Sequence, residues 1–160
     1  MRQIRLARTD EASSVLELIE RSFRGRDFYA EMRAYSEHEV IALISEGSIL
    51  VAESAGALLG CIHIALRPDV TRLKLLAVSD CQRRSGVGTQ LLETAERLTA
   101  NISCAFVHVA VFSLHPDILS FFRGRGYTPF LIERFPSTEQ SSLLHFVWMS
   151  KQLENYPRAF

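Results

Sequence analysis

Residues 81 to 92 read CQRRSGVGTQLL. Arg83, Arg84 and Ser85 lead into Gly86 and Gly88, and a run with helical spacing follows at once. This combination suits the binding of phosphate. The first amides of a helix have no acceptor within it and lie at the positive end of its dipole. A turn running straight into the helix can hold phosphate oxygens on those amides. Glycine admits unusual dihedrals and keeps a β-carbon out of the approach path. Arg83 and Arg84 add charge, and Thr89 brings a hydroxyl. The plainer alternative is a helix start that contains two glycines and solvated arginines.

Two familiar phosphate patterns do not fit. A P-loop needs a lysine that this turn lacks. A dinucleotide fingerprint needs a third glycine where Leu91 stands, and it wants its first glycine directly after a strand, where SDCQRRS intervenes. A third pattern, Gln or Arg, two residues, Gly, one residue, then Gly or Ala, is met by Arg83-Arg84-Ser85-Gly86-Val87-Gly88.

The elements that must position this turn follow from periodicity. QIRL alternates and predicts a short strand. Asp10 is expected to cap a helix with Ala12, Val15, Leu16, Ile19 and Phe23 on one face. RGRDFYAEMR is expected to be a loop or short helix. Ser36 to Glu39 fit a capping box, and Gly47 a helix stop. Two strands around SAGA form a hairpin, and TRLKLLAV is a central strand. After the turn come an amphipathic helix with Val87, Leu91, Leu92, Ala95 and Leu98 on one face, a buried strand in ISCAFVHVAVF, and a short helix begun by Pro116. Two last strands flank PSTEQSS. The order β-α-α-β-β-β-α-β-α-β-β, with hairpins at both ends, predicts a mixed α/β domain.

The turn, its flanking strand and helix, and the element order from about Ile4 to Lys151 resemble the Gcn5-related N-acetyltransferase (GNAT) family. A second landmark agrees: ILSFFRGRGY has an aromatic pair, then three residues, then Gly126-Tyr127. The resemblance implies a mostly antiparallel sheet of six to seven strands, a splayed central parallel pair and about four helices. It implies acetyl-CoA as co-substrate and no metal. The main chain of Leu76, Ala77 and Val78 would bond the pantetheine amides. The loop of Arg83, Arg84, Ser85, Gly86, Val87, Gly88 and Thr89 would hold the pyrophosphate.

The acceptor side departs from the family. The tyrosine that serves as acid in many relatives is here Phe122, and the glutamate on the preceding strand is here Arg72, with Lys74 next on the same face. The usual asparagine near the second landmark is His115. The catalytic residues are therefore unassigned, with His108, His115 and Tyr29 as candidates, and core packing, helix capping and loop packing as their respective alternatives. His63 is a further histidine of the same kind. Phe121 and Phe122 read as core packing, and Cys104 as a small core residue. Arg72 and Lys74 are expected to meet an acidic group on the substrate, against the alternative of solvated strand-end residues.

Composition bounds the rest. The chain has 160 residues, 48% hydrophobic and 22% charged, which predicts one globular domain over residues 1–160, and the resemblance implies that it is an acyltransferase domain. Lysine plus arginine equals aspartate plus glutamate at 18 each, so no nucleic-acid partner is expected. Three separated cysteines without a CxxC pair argue for reduced thiols and a cytoplasmic location. No apolar signal core is present, and no run reaches the roughly 20 residues a membrane helix needs, so no membrane partner is expected. The expected function is acetyl transfer from acetyl-CoA to an amine, with a small-molecule acceptor and a monomeric or homodimeric protein. Alternatives are a non-catalytic acetyl-CoA-sensing domain, a protein N-terminal or lysine acetyltransferase, and a different nucleotide-binding enzyme.

Overall fold

The computed structural model describes residues 1–23, 35–113, 116–134 and 145–153. Its strands are β1 (Gln3–Leu6), β2 (Ile49–Ser54), β3 (Ala57–Ala65), β4 (Thr71–Val78), β5 (Phe106–Phe112), β6 (Thr128–Arg134) and β7 (His145–Gln152). Its helices are α1 (Ala12–Phe23), α2 (Glu37–Ser45), α3 (Val87–Asn101) and α4 (Pro116–Arg123). Short 3-10 turns at Thr9–Glu11 and Asp80–Gln82 complete the order. This is the element order that periodicity predicts.

Backbone hydrogen bonds join the seven strands in the order β1-β2-β3-β4-β5-β7-β6. The parallel pair is β4–β5, in register at Thr71↔Val107, Arg72↔His108 and Leu73↔Val109. The mixed α/β fold and its sheet are thus as expected. Packing divides the chain into two compact units, one of Met1–Ala65 with Lys74–Leu98, the other of Leu66–Leu73 with Thr99–Phe160. Among the described residues no helix is long and apolar enough to cross a membrane.

In the first unit α1 and α2 lay Val15, Leu18, Ile19, Val40 and Ile44 on Ile49, Val51, Cys61, Leu75 and Ala77. Burying each large aliphatic side chain contributes about 1.5–3 kcal/mol. The α2 start has the capping box predicted for it: Glu39 N–H donates to Ser36 Oγ at 3.2 Å, and Ser36 N–H to Glu39 Oε2 at 2.8 Å. The β2–β3 connection is a two-residue turn with positive φ at Ala55 and Gly56, as a tight hairpin requires. The α1 start differs from expectation. Asp10 does not cap it; the chain enters through the 3-10 turn, whose capping residue is Arg8. Glu11 closes that turn by accepting from Arg8 N–H at 2.9 Å, and it accepts two bonds from Arg5 as well. The carboxylate of Glu11 therefore serves the turn and β1 together.

In the second unit Val107, Val109 and Val111 of β5 and Met149 of β7 are buried. His108 and Ala110 alternate with them and are half-buried. Phe122 of α4 is 3% exposed, in an edge-to-face contact with Tyr127 at 5.3 Å. That is the core role read from the sequence. Cys104 is also buried, 3.8 Å from Thr71 Oγ1.

Candidate functional site

β4 ends at Val78, and the glycine turn begins there. Ser79 N–H donates to Leu59 O at 2.8 Å, which ties the turn to β3. Asp80–Gln82 form the 3-10 turn, and Arg83 pairs with Asp80 at 3.0 Å. Arg84 has φ +62° and Gly86 φ +88°. Two left-handed residues two positions apart double the chain back sharply. Gly86 takes that conformation without strain, whereas Arg84 takes it at a cost of order 1–3 kcal/mol. Strain of this kind collects at functional turns.

The α3 ladder begins where Gln90 N–H donates to Gly86 O at 3.0 Å. The amides of Val87 and Gly88 precede that bond, at the positive end of a 15-residue helix. The Val87 side chain is buried, so this residue presents its main chain and not its isopropyl group. Gly88 has no positive φ, so its backbone does not require glycine. What its lack of a side chain leaves is clearance beside the amides. Thr89 is half-buried, and Ser85 and Arg84 are exposed.

Two supports escaped the sequence reading. Arg2 donates to Ser85 O at 3.1 Å and to Gln90 Oε1 at 3.1 Å, bringing a further guanidinium to the turn. Nothing local to Arg2 signals this, since the contact spans more than 80 residues. Gly60 of β3 is the other. A β-carbon there would meet Val87 Cγ1 at 2.8 Å and Ala77 O at 2.9 Å. Glycine therefore lets the first turn of α3 sit against β3 and β4. An isolated glycine within an apolar strand is the one signal that could have found it.

On β4, Ala77 is buried while Leu76 and Val78 are half-buried. Val78 O accepts from Ser22 Oγ of α1 at 3.1 Å. Leu75 has φ +53°, a conformation rare for a leucine. Burial nevertheless alternates along the whole strand, with Thr71, Leu73, Leu75 and Ala77 buried and Arg72, Lys74, Leu76 and Val78 more open. Arg72 and Lys74 are both exposed, as expected of that face. A cleft of about 460 Å³ lies next to the turn, lined by Ser14, Glu17, Ser22, Leu58, Ser79 and Cys81 among others.

The histidines fall in different places. His108 is the register partner of Arg72, and its ring lies 4.6 Å from that of Phe130. Its pKa is lowered by burial first and by the Arg72 charge second, against a smaller opposing pull from Asp69. The imidazole is therefore neutral at neutral pH, the form a base needs. His63 of β3 is lowered in the same way, by burial and then by Lys74, with Glu46 opposing. Its Nδ1 is buried without a partner among the described residues. For both imidazoles burial acts first, and a neighbouring β4 cation adds to it. Burial pushes the Cys61 thiol up to about 12, far from a thiolate nucleophile. Tyr29, His115 and the PSTEQSS segment lie outside the described residues.

A helix entered through a tight glycine turn at the end of a strand defines a class. Residues 12–127 match the acetyltransferase (GNAT) family, and the chain belongs to that family. The enzyme class is thus the one that the turn implied. A search of curated proteins finds no match. Solved structures share the fold at low identity. The ribosomal-protein-S18-alanine N-acetyltransferase of Escherichia coli superposes with a TM-score of 0.80 at 15% identity, covering 100% of this chain and 99% of that one. PaiA N-acetyltransferase from Thermoplasma acidophilum, in complex with coenzyme A, gives 0.78 at 18%, covering 96% and 99%. Ard1 from Thermoplasma volcanium gives 0.78 at 19%, covering 95% and 97%.

Proposed function

We propose that residues 1–160 act as one domain that transfers the acetyl group of acetyl-CoA to an amine on a small, acidic molecule. The observation that carries this is the turn from Arg83 to Thr89, in which two left-handed residues, Arg84 and Gly86, lead directly into the first amides of α3. A pyrophosphate there would lie on amides and among the guanidinium groups of Arg2, Arg83 and Arg84. The main chain of Leu76 to Val78 would bond the pantetheine amides. The similarity in fold to a protein crystallised with coenzyme A supports the same reading.

Acetyl-CoA supplies an activated acyl carbon as a thioester. Transfer forms a C–N bond and breaks the C–S bond; the amine gives up a proton and the departing sulfur must be neutralised. His108, neutral and half-buried, is the base we assign. No tyrosine stands at Phe122, so water takes the role of acid. Arg72 and Lys74 repel a protonated amine, attract an acidic group elsewhere on the acceptor and lower the amine's pKa.

The test combines calorimetry for CoA with thiol release from acetyl-CoA across an amine panel. Turnover of acidic amines is expected, with Arg72→Ala and Lys74→Ala raising KM for these more than for neutral ones. Best activity on cationic polyamines would reject the acidic acceptor. Tight CoA binding without turnover of any amine would favour an acetyl-CoA sensor, the alternative that the loss of the usual tyrosine and glutamate supports.

A further inference from the structure

Among the described residues, one face of the second unit's sheet gathers the cation Arg72, the carboxylate of Glu133 and several aromatic rings. Register places Arg72 of β4 beside His108 of β5, His108 beside Ser150 of β7, and Ser150 beside Thr128 of β6. Residues opposed in this way share a face. Trp148, two positions from Ser150, is on it, with Leu131 as its β6 partner. Phe130 joins the face at the bulge between Pro129 and Leu131, through its ring contact with His108. Trp148 Nε1 donates to Glu133 Oε2 at 2.7 Å. Its one polar atom is thereby satisfied and the indole's orientation is fixed, with the Arg72 guanidinium over the ring.

The Arg72 guanidinium carbon lies 5.9 Å from the centroid of that indole. Phe130 and Leu131 are 50% and 53% exposed. Adjacent large apolar side chains left in water around an exposed cation define their own complement, an apolar or aromatic body that carries an anion. Arginine favours a carboxylate through its planar fork of donors.

We propose that the acceptor is an aromatic α-amino acid, with its carboxylate on Arg72 and its ring against Trp148 and Phe130. This rests on the transferase assignment above and goes further, because it names the ring as well as the charge. An α-amino acid also sets the reacting amine one carbon from the anchored carboxylate, beside His108.

Trp148 is the only tryptophan of the chain, so its emission reports this face directly. The experiment titrates the CoA-loaded protein with phenylalanine, phenylalaninamide and alanine, and then measures thiol release with each. Phenylalanine should change the emission saturably and exceed the other two at least tenfold in affinity and in kcat/KM. Arg72→Ala should erase the difference between phenylalanine and its amide while leaving CoA affinity unchanged. Equal performance of alanine or the amide overturns the proposal, as does a peptide with N-terminal phenylalanine outcompeting the free amino acid. A protein that binds CoA but responds to none of the three overturns it too, leaving the transferase assignment intact. Failure to bind CoA at all would take down both.

Discussion

The turn from Asp80 to Gly88 offers main-chain atoms for chemistry, whereas the face around Arg72 offers side chains. The turn works through conformation. Its distinguishing features are a φ of +62° at Arg84, a φ of +88° at Gly86 and the start of a helix. The face works through neighbours: Arg72 beside His108 by register, Trp148 held by Glu133, His108 against Phe130. A main-chain site tolerates wide variation of side chains and keeps its function. A side-chain site can be retuned one residue at a time, and by the family resemblance Phe122 and Arg72 stand where a tyrosine and a glutamate are usual. One framework can thus keep a common co-substrate while its acceptor changes.

The sharpest challenge to this contrast lies beneath the turn. Gly60→Val should destabilise the protein by about 3 kcal/mol, because the new side chain meets Val87 and the carbonyl of Ala77. Urea denaturation checks it; a loss under 0.5 kcal/mol, roughly the level of a surface substitution, would mean that α3 does not need its close seat on β3.

On the side-chain face, His108→Gln should lower kcat/KM about 100-fold, or about 2.7 kcal/mol, if it is the base. In the unaltered enzyme the acid limb of the kcat/KM profile should fall below pH 6.5, the ordinary imidazole value, because burial and Arg72 lower this group. An acid limb above that value, or one that persists in the variant, would remove His108 from the role.

Gly88→Glu should weaken CoA binding by about 2 kcal/mol, roughly 30-fold, through the bulk and charge brought beside the amides. Calorimetry on a folded variant that shows unchanged affinity would displace the pyrophosphate from this turn.

The smallest effect concerns what steadies β1, which brings Arg2 to the turn. The Arg5 guanidinium holds the Glu11 carboxyl down at about 2. A carboxyl depressed in the folded state stabilises the protein at pH values above its unfolded pKa. That contribution is lost as pH falls from about 4.5 through 2. Discounted for solvent screening it amounts to about 1–2 kcal/mol. Glu11→Gln should flatten the stability profile across this window, as measured by thermal melts at stepped pH. An unchanged slope would assign the acid sensitivity to other carboxylates.

The same contrast explains what could be read from the sequence. Local signals were legible: the Ser36 to Glu39 capping box, Pro116 opening α4, and the glycine spacing of the turn each depend on residues within a few positions. The parallel pairing of β4 with β5 followed from the family resemblance, since periodicity alone does not say which strands meet; the full strand order was not legible. Conformations imposed by packing were silent, as at Leu75, whose left-handed φ no propensity would suggest. Contacts between distant residues were silent too. Arg2 meets Ser85 and Trp148 meets Glu133 through tertiary proximity, and neither pair leaves a pattern along the chain. Arg72 was found only because a family expected something else in its place.

β6 carries a last consequence. It ends the strand order, and Phe130, Leu131 and Ile132 are each at least half exposed along it. A run of three apolar residues on a terminal strand is a template on which other chains can stack into cross-β assemblies. Pro129 stands immediately before the run and has no amide proton to offer such a ladder. The register slip between Pro129 and Leu131 also bends the strand away from the straight edge that stacking needs. The irregularity at which Phe130 meets His108 therefore also works against edge-to-edge stacking of this exposed apolar run.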